Sequence, residues 1–142
     1  AQFVTILYRM AGSPAVTIDN PFEDIPDGQW FSDAVVWAYE KGITTGTDES
    51  HFNPGGTLVR QHMVTFLMRF AKTMGIDTSD RADLSGYTDA DLIQSYAREP
   101  MEWAVAVGII SGMSETSLDP NGLANRAQIA IIIQRFVTIF LW

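Results

Sequence analysis

Two arginines at the start of predicted long helices are the residues best suited to bind a ligand. Arg126 lies in the segment 125–128, where Asn125 can cap a helix and Gln128 can reach back to complete a capping box. Arg126 would then hold the first helical position, where its guanidinium and free backbone N–H groups suit an anion. Arg60 holds the equivalent place in an earlier helix. The alternative is that both arginines pair with nearby carboxylates of this acidic chain.

The composition argues against several other kinds of chemistry. The 142 residues include no cysteine and two histidines, so we expect no metal site, no disulfide and no cofactor. Nine cationic side chains against 17 acidic ones give a formal charge of −8, which does not favour nucleic-acid binding. No nucleophile–base pair or glycine-rich phosphate loop can be assembled, so we predict that the chain is not an enzyme. The apolar segment 129–142 is shorter than the ~20 residues of a membrane span, so no membrane partner is expected.

The chain contains an internal repeat with an offset of 66 residues. Of the 34 positions from Trp37 to Phe70, 11 are identical in the stretch from Trp103 to Phe136. Neither lysine lies on a repeated position, whereas five of the seven arginines do: Arg9, Arg60, Arg69, Arg126 and Arg135. We predict three parts within one compact module. Residues 1–12 form the last helix of a preceding repeat whose front is missing, and residues 20–76 and 84–142 form two full repeats.

Each repeat is predicted to form a helix, a loop and a longer helix. The apolar spacing indicates long helices at about 58–73 and 126–141, and residues 3–10 follow the same pattern. A shorter helix is expected at 33–41, with Ser32 as its cap, and a helical turn after Asp89. Pro100 is expected in the first turn of the helix that carries Trp103. The fold class is therefore all-α, with three equivalent long helices that suggest a bundle.

The combined pattern resembles the S-layer homology (SLH) repeat. The first copy reads Phe22-x-Asp24, Trp30, Trp37-Ala38, Gly42-Ile43-x-x-Gly46, Phe52-x-Pro54, Arg60 and Arg69. The second reads Tyr87-x-Asp89, Trp103-Ala104, Gly108-Ile109-x-x-Gly112, Leu118-x-Pro120, Asn125-Arg126-Ala127-Gln128 and Arg135. The resemblance implies a pseudo-threefold trefoil, with a central three-helix bundle surrounded by short helices and loops.

The resemblance also implies a role for the first turn of each long helix. In the family, the signature Ile-Thr-Arg-Ala-Glu opens this helix, and its arginine helps to bind a glycan. Arg126 matches that arginine, and the replacements Asn125 and Gln128 keep the capping chemistry. In the first copy Arg60 is kept, but Val59 cannot cap and His62 replaces the glutamate.

Aromatic and acidic residues complete the candidate site. Trp30 lies in a loop and can stack on a sugar ring, whereas Trp37 and Trp103 are either sugar platforms or core residues. Asp24 and Asp89 can bond sugar hydroxyls, or else hold a turn or pair with an arginine. The candidate glycan-binding residues are Arg60, Arg126, Asp24, Asp89, Trp30, Trp37, Trp103, Gly46, Gly112 and Gln128, the glycines as tight turns near a groove.

The remaining polar positions are interpreted differently. Arg9, Arg69 and Arg135 lie within helices as structural cations or as cations at the rim of a groove. His62 is interpreted as a surface residue. Tyr96 is the counterpart of Trp30 in the second copy.

The function implied by the resemblance is non-catalytic anchoring outside the cell, on a bacterial surface. The expected partner is secondary cell-wall polysaccharide, often pyruvylated, bound in grooves between repeats. Self-association and a missing N-terminal repeat segment are further partners to consider. The alternative function is a structural or protein-interaction repeat that assembles a surface protein.

Overall fold

A computed structural model describes residues 1–46, 50–110 and 117–141 of the chain. Its α-helices are α1 (Gln2–Met10), α2 (Ser32–Glu40), α3 (Arg60–Thr73), α4 (Ser95–Ala106) and α5 (Arg126–Phe136). A 3₁₀ turn spans Ala90–Leu92, and a π-helical turn at Val137–Leu141 continues α5. Across these described ranges, the only extended pairing is one isolated antiparallel bridge between Val59 and Leu123. The prediction of an all-α protein is therefore confirmed.

The chain divides into two compact units, Ala1–Gly56 and Thr57–Trp142. The first unit contains α1 and α2, and the second contains α3, α4 and α5. Each unit thus joins the long helix of one predicted repeat to the front of the next. The division falls inside the predicted repeat 20–76, between its short and long helices. The repeat boundaries, the single module and the trefoil remain predictions.

The core of the first unit lies between α1 and α2. Phe3, Val4 and Leu7 of α1 are buried, as the helical spacing predicts. The ring of Tyr8 packs at a centroid distance of 5.4 Å from the ring of Trp37, which is buried on α2. This apolar contact fixes α2 against α1 and leaves the following loop to be positioned by polar contacts.

The core of the second unit is built around α3 and α4. Met63, Leu67 and Phe70 of α3 are buried, and so are Met101 and Trp103 of α4. α5 and the π-helical turn that continues it join this core through aromatic residues: the rings of Phe70 and Phe136 lie 5.8 Å apart, and those of Trp103 and Phe140 stack at 5.9 Å. None of the helices in the described ranges is long and apolar enough to cross a membrane.

Two predicted helix starts differ from the structure. α4 begins at Ser95, so Pro100 lies inside the helix and not in its first turn. Ser32 is the first residue of α2, where its hydroxyl donates to the carbonyl of Pro26 and accepts from the N–H of Gln29, so it does not cap the helix. In both places, contacts with residues outside the helix decide where it begins.

Candidate functional site

The predicted capping box at the start of α5 is confirmed. The side-chain oxygen of Asn125 accepts from the N–H of Gln128 at 2.9 Å, and the N–H of Asn125 donates to Oε1 of Gln128 at 3.2 Å. Arg126 follows at the first helical position with an exposed side chain. In the part of the chain that the structure describes, neither its guanidinium nor the N–H groups of Arg126 and Ala127 meet a hydrogen-bond or ion-pair partner. The start of α5 therefore presents a cation and two open donors on one exposed surface.

The start of α3 is occupied by a loop of the same unit. The N–H of Arg60 donates to the carbonyl of Gly122 at 2.9 Å, and the N–H of Gln61 donates to that of Pro120 at 3.0 Å. The N–H of Ala124 in turn donates to the carbonyl of Leu58 at 2.8 Å. The loop thus supplies the acceptors that Val59, which has no side-chain oxygen, cannot provide.

Arg60 is buried beneath this loop. Only 5% of its surface is exposed, and its Nε donates to the carbonyl of Leu118 at 2.8 Å. Burial lowers the pKa of Arg60, while the nearby charges of Asp119 and Asp89 act in the opposite direction. The loop covers this guanidinium, so the burial does not support contact with a ligand from solvent, and the glycan-binding role of Arg60 stays a prediction.

Asp24 and Asp89 hold loops in the same way in the two units. The carboxylate of Asp24 accepts from the N–H groups of Phe52 and Asn53 at 2.8 and 2.6 Å. The carboxylate of Asp89 accepts from those of Leu118 and Asp119 at 2.9 and 2.7 Å. Partial desolvation raises the pKa of Asp24, but the two backbone bonds outweigh it and keep that pKa below its ordinary value. Of the three roles predicted for these residues, a bond to a sugar hydroxyl, a turn contact and a pair with an arginine, the geometry supports the turn contact.

The two repeat-equivalent tryptophans are core residues. Trp37 is 1% exposed and Trp103 is 0% exposed, so neither presents a ring face on which a sugar could stack. Of the two roles predicted for them, the burial supports the core role, because their rings fill the space beside α1 and beside Phe140, and the glycan-binding role stays a prediction. Among the described residues, the buried Nε1 of Trp103 meets no hydrogen-bond partner.

Trp30 and Tyr96 are the exposed members of the aromatic set. Trp30 is 61% exposed in the first unit and meets Phe31 edge to face at 5.1 Å. Tyr96 is 41% exposed in the second unit, where its ring lies 5.7 Å from the ring of His62 at an interplanar angle of 31°. His62 is exposed, as the sequence predicts.

Two of the three remaining predicted site residues, Gly46 and Gln128, shape the backbone around them. Gly46 adopts a φ of +79°, in the left-handed region that a tight turn needs, and its N–H donates to Oγ1 of Thr44 at 3.1 Å. Gly112 lies outside the described residues. Gln128 uses its side chain to cap α5, so it shapes the first turn around Arg126.

One polar residue at the start of α3 escaped the sequence analysis. Gln61 is 1% exposed and links two segments: its Nε2 donates to Oδ1 of Asn121 at 2.6 Å, and its Oε1 accepts from the N–H of Gln94 at 2.9 Å. No local pattern marks this role, because both partners lie more than thirty residues away along the chain. Within the described ranges, no group of three or more histidine or acidic side chains is arranged to hold a metal ion.

Comparisons with known proteins agree with the repeat. The S-layer homology domain family matches residues 21–64 and 86–130. The chain is 30% identical over 122 residues to the surface-layer 125 kDa protein of Lysinibacillus sphaericus, covering 84% of this chain and 10% of that protein. It is 25% identical to an S-layer protein of Bacillus anthracis, covering 85% and 14% of the two chains. It is also 26% identical to an exoglucanase of Acetivibrio thermocellus, covering 94% and 12%.

These relatives are much longer than the sequence studied. The chain spans about one tenth of the length of the curated relatives that it matches. One relative is an exoglucanase and others are surface-layer proteins, so the shared part is the repeat region. With a match that covers more than half of the residues, the chain belongs to the S-layer homology domain family.

Proposed function

We propose that this chain anchors its parent protein to secondary cell-wall polysaccharide, with Arg126 binding a carboxylate of the glycan. The S-layer homology repeat is a non-catalytic anchoring module, and the surface-layer relatives indicate a location on the bacterial cell surface. The observation that carries the proposal is the exposed Arg126 beside two open N–H groups at the start of α5. A pyruvyl ketal supplies a planar carboxylate, which suits an arginine fork next to helix donors.

The exposure of each candidate residue decides whether we propose it as a ligand contact or as a supporting residue. Gln128 and Asn125 act as positioning residues, because their capping box fixes the turn from which Arg126 projects. Trp30 is a separate candidate platform for a sugar ring in the first unit. Gly46 is kept as a turn residue. Asp24, Asp89 and Arg60 support the loops and are not proposed as ligand contacts.

The placement of charge also supports an anionic ligand. The chain carries a formal charge of −8, so a long-range attraction for a polyanion is not expected. A single exposed arginine at a helix N-terminus can still give a local, directional bond to a carboxylate. Binding through such a bond should depend on the acidic group of the glycan more than on ionic strength alone.

A sedimentation experiment with cell walls tests the anchoring function. The purified chain is mixed with sacculi that keep their secondary polysaccharide and with sacculi from which acid or hydrogen fluoride has removed it. We expect the chain to pellet with the intact sacculi and to stay in the supernatant with the stripped ones. Equal sedimentation with both preparations, or with neither, would contradict anchoring through the polysaccharide.

Assembly is a second candidate function, favoured by apolar side chains along and around α5. The exposed large hydrophobic residues of this region are Leu123, Ile131, Ile139 and Leu141. An exposed apolar surface of this kind is typical of protein–protein contacts. Ile131→Asp should then shift a self-associating chain towards the monomer in sedimentation-velocity runs. A monomer at every concentration before the substitution would argue against self-assembly.

A further inference from the structure

We propose that Asn121, in the loop over the start of α3, deamidates spontaneously through attack by the backbone nitrogen of Gly122, and that the isoaspartyl product releases this loop. The inference is independent of the anchoring function, because the only co-reactant is water. It concerns a covalent modification of the loop 118–122, whose carbonyls hold the first turn of α3.

Asn121 is the asparagine whose sequence context favours this reaction. Deamidation starts when the backbone nitrogen of the following residue attacks the side-chain carbonyl carbon, so it needs an N–H and little bulk there. The chain has four asparagines, and two of them, Asn20 and Asn53, precede proline, which has no N–H. Asn125 precedes an arginine and is held in the capping box of α5. Asn121 precedes Gly122, which has no side chain to hinder the attack.

The side chain of Asn121 is exposed to water, and its carbonyl is polarised. Nε2 of Gln61 donates to Oδ1 of Asn121 at 2.6 Å. A donor on this oxygen draws electron density away from Cγ, which is the atom that the nitrogen of Gly122 attacks. The same donor stabilises the negative charge that the oxygen gains during the attack. The contact with α3 therefore favours the first step of the reaction.

The turn that contains Gly122 has to open before the attack. The N–H of Gly122 donates to the carbonyl of Asp119 at 3.0 Å, and this bond competes with the reaction. Asp119 has a φ of +51°, in the left-handed region that is costly for a residue with a side chain. Opening the turn relieves this strain, which offsets part of the lost hydrogen bond.

The reaction is balanced with water alone. The nitrogen of Gly122 loses its proton and bonds to Cγ of Asn121, while the bond from Cγ to the side-chain nitrogen breaks and ammonia leaves with that proton. The product is a cyclic imide, the succinimide. Water that attacks the imide at Cγ gives an aspartate. Water that attacks the backbone carbonyl carbon gives an isoaspartate, in which the main chain runs through Cβ and Cγ.

The isoaspartyl product changes the spacing of the two carbonyls that hold α3. The carbonyl of Pro120 accepts from the N–H of Gln61 at 3.0 Å. The carbonyl of Gly122 accepts from the N–H of Arg60 at 2.9 Å. Residue 121 lies between these carbonyls, so an extra methylene in the main chain moves one acceptor relative to the other. The two N–H groups cannot follow, because the helix fixes their spacing, and the loop leaves the start of α3.

The first unit lacks this reactive pair and supplies a matched control. Its equivalent loop, 66 residues earlier, has Gly55 where the second unit has Asn121. The turn itself is the same, because the N–H of Gly56 donates to the carbonyl of Asn53 at 3.0 Å. Asn121→Gly therefore copies a loop sequence that the chain already uses and removes the side-chain amide.

Peptide mapping by mass spectrometry tests the site. The full chain is kept in mildly alkaline buffer, where the backbone nitrogen loses its proton more readily, and the conversion of each asparagine to a carboxylate is followed over time. We expect most of Asn121 to convert to a mixture of aspartate and isoaspartate, while Asn20, Asn53 and Asn125 keep their amides. An intact Asn121, or equal conversion at Asn125, would overturn the site.

Amide exchange tests the release of the loop. Ion-exchange chromatography isolates the modified chain, which carries one negative charge more than the formal −8 of the original, and fragmentation identifies the isoaspartyl fraction. We expect the N–H groups of Arg60 and Gln61 to exchange about ten-fold faster in this fraction, as the loss of one to two net hydrogen bonds predicts. Unchanged exchange at both groups would overturn the release.

Two variants separate the lengthened main chain from other effects. Asn121→Asp adds the same charge without the extra methylene and keeps an acceptor for Gln61, so its amide exchange should stay close to that of the wild type. Asn121→Gly should show no increase in exchange during the incubation. Exchange as fast in Asn121→Asp as in the isoaspartyl form, or an equal increase in incubated Asn121→Gly, would contradict release by the isoaspartyl bond. Circular dichroism of each variant checks that the fold is kept.

Discussion

Asp24 and Asp89 are a residue pair whose role follows from the structure more than from their residue type. Each carboxylate accepts two backbone N–H bonds from a loop 28 to 30 positions further along the chain. The sequence predicts that they lie in equivalent places, but it leaves both a sugar contact and a structural contact open. The role of Arg60 also depends on a distant segment, because the loop that buries it consists of residues 118–122. Contacts over such distances are not visible in local patterns.

At this scale we predict that Asp24 stabilises the first unit in a pH-dependent way. Its folded-state pKa is lowered, so its contribution is complete above the unfolded value of about 3.9 and is lost as the pH falls through the folded value. Asp24→Ala should reduce the unfolding free energy by about 1–3 kcal/mol at pH 7, since the lost bonds involve a charged acceptor. Urea unfolding at pH 7 and at about pH 3 measures both effects.

The control for this prediction is Asp19→Ala, which removes an exposed carboxylate of the same unit. Its unfolding free energy should stay close to that of the wild type at both pH values. If Asp24→Ala lost no more stability than Asp19→Ala at pH 7, the carboxylate clamp would make no net contribution.

The helices were predictable where local chemistry determines them. The capping box at Asn125 and Gln128 was read from four residues and is present in the structure. The start of α4 was not predictable in this way, because the N–H of Gln94, just before the helix, bonds to the side chain of Gln61 on α3. That contact places the start of α4 at Ser95, five residues before Pro100. The preference of proline for the first turn of a helix predicts a start close to Pro100 itself.

At the scale of elements we predict that the loop over α3 depends on Gly122. Its carbonyl accepts from the N–H of Arg60, and a Cβ at this position would collide with the side chain of Asp119 in the same turn. Because the exposed Asp119 carboxylate can turn away, Gly122→Ala should lower the unfolding free energy by up to about 1 kcal/mol. Gly86→Ala is the matched control, because a Cβ there has no atom within 4 Å.

Thermal unfolding of the two glycine variants, followed by circular dichroism, measures this prediction. Amide exchange adds a local readout, because protection of the Arg60 and Gln61 N–H groups should fall in Gly122→Ala. Unchanged protection together with an unchanged melting temperature would mean that the loop tolerates the methyl group.

For the molecule as a whole, sequence repeats and compact units do not coincide. The repeats are predicted at 20–76 and 84–142, whereas the compact units are Ala1–Gly56 and Thr57–Trp142. The same polar contact recurs at the start of a long helix in each unit: the nitrogen of Ala1 bonds to the carbonyl of Pro54 at 3.5 Å, and that of Gln61 to Pro120 at 3.0 Å. A long helix therefore packs with the front of the next repeat, a relation that identity between repeats does not reveal.

This difference predicts how fragments fold. Residues 57–142 keep α3, α4 and the loop that covers Arg60, so this fragment should fold and unfold cooperatively in urea. Residues 84–142 match the predicted repeat but lack α3, whose buried face completes the core, and should show little helix by circular dichroism. A cooperative transition in the shorter fragment would mean that the sequence repeat is itself the folding unit.

The central claim is that Arg126 binds the anionic group of the wall polysaccharide, and its affinity for intact sacculi tests that claim most directly. The wild-type chain, Arg126→Ala and the charge-matched control Lys41→Ala are compared in the same sedimentation assay. Because Arg126→Ala loses a bond to a charged group, its affinity for intact sacculi should be lower than that of the wild type by on the order of ten- to one-hundred-fold. Lys41→Ala should bind like the wild type. Equal affinities for wild type and Arg126→Ala would contradict the account.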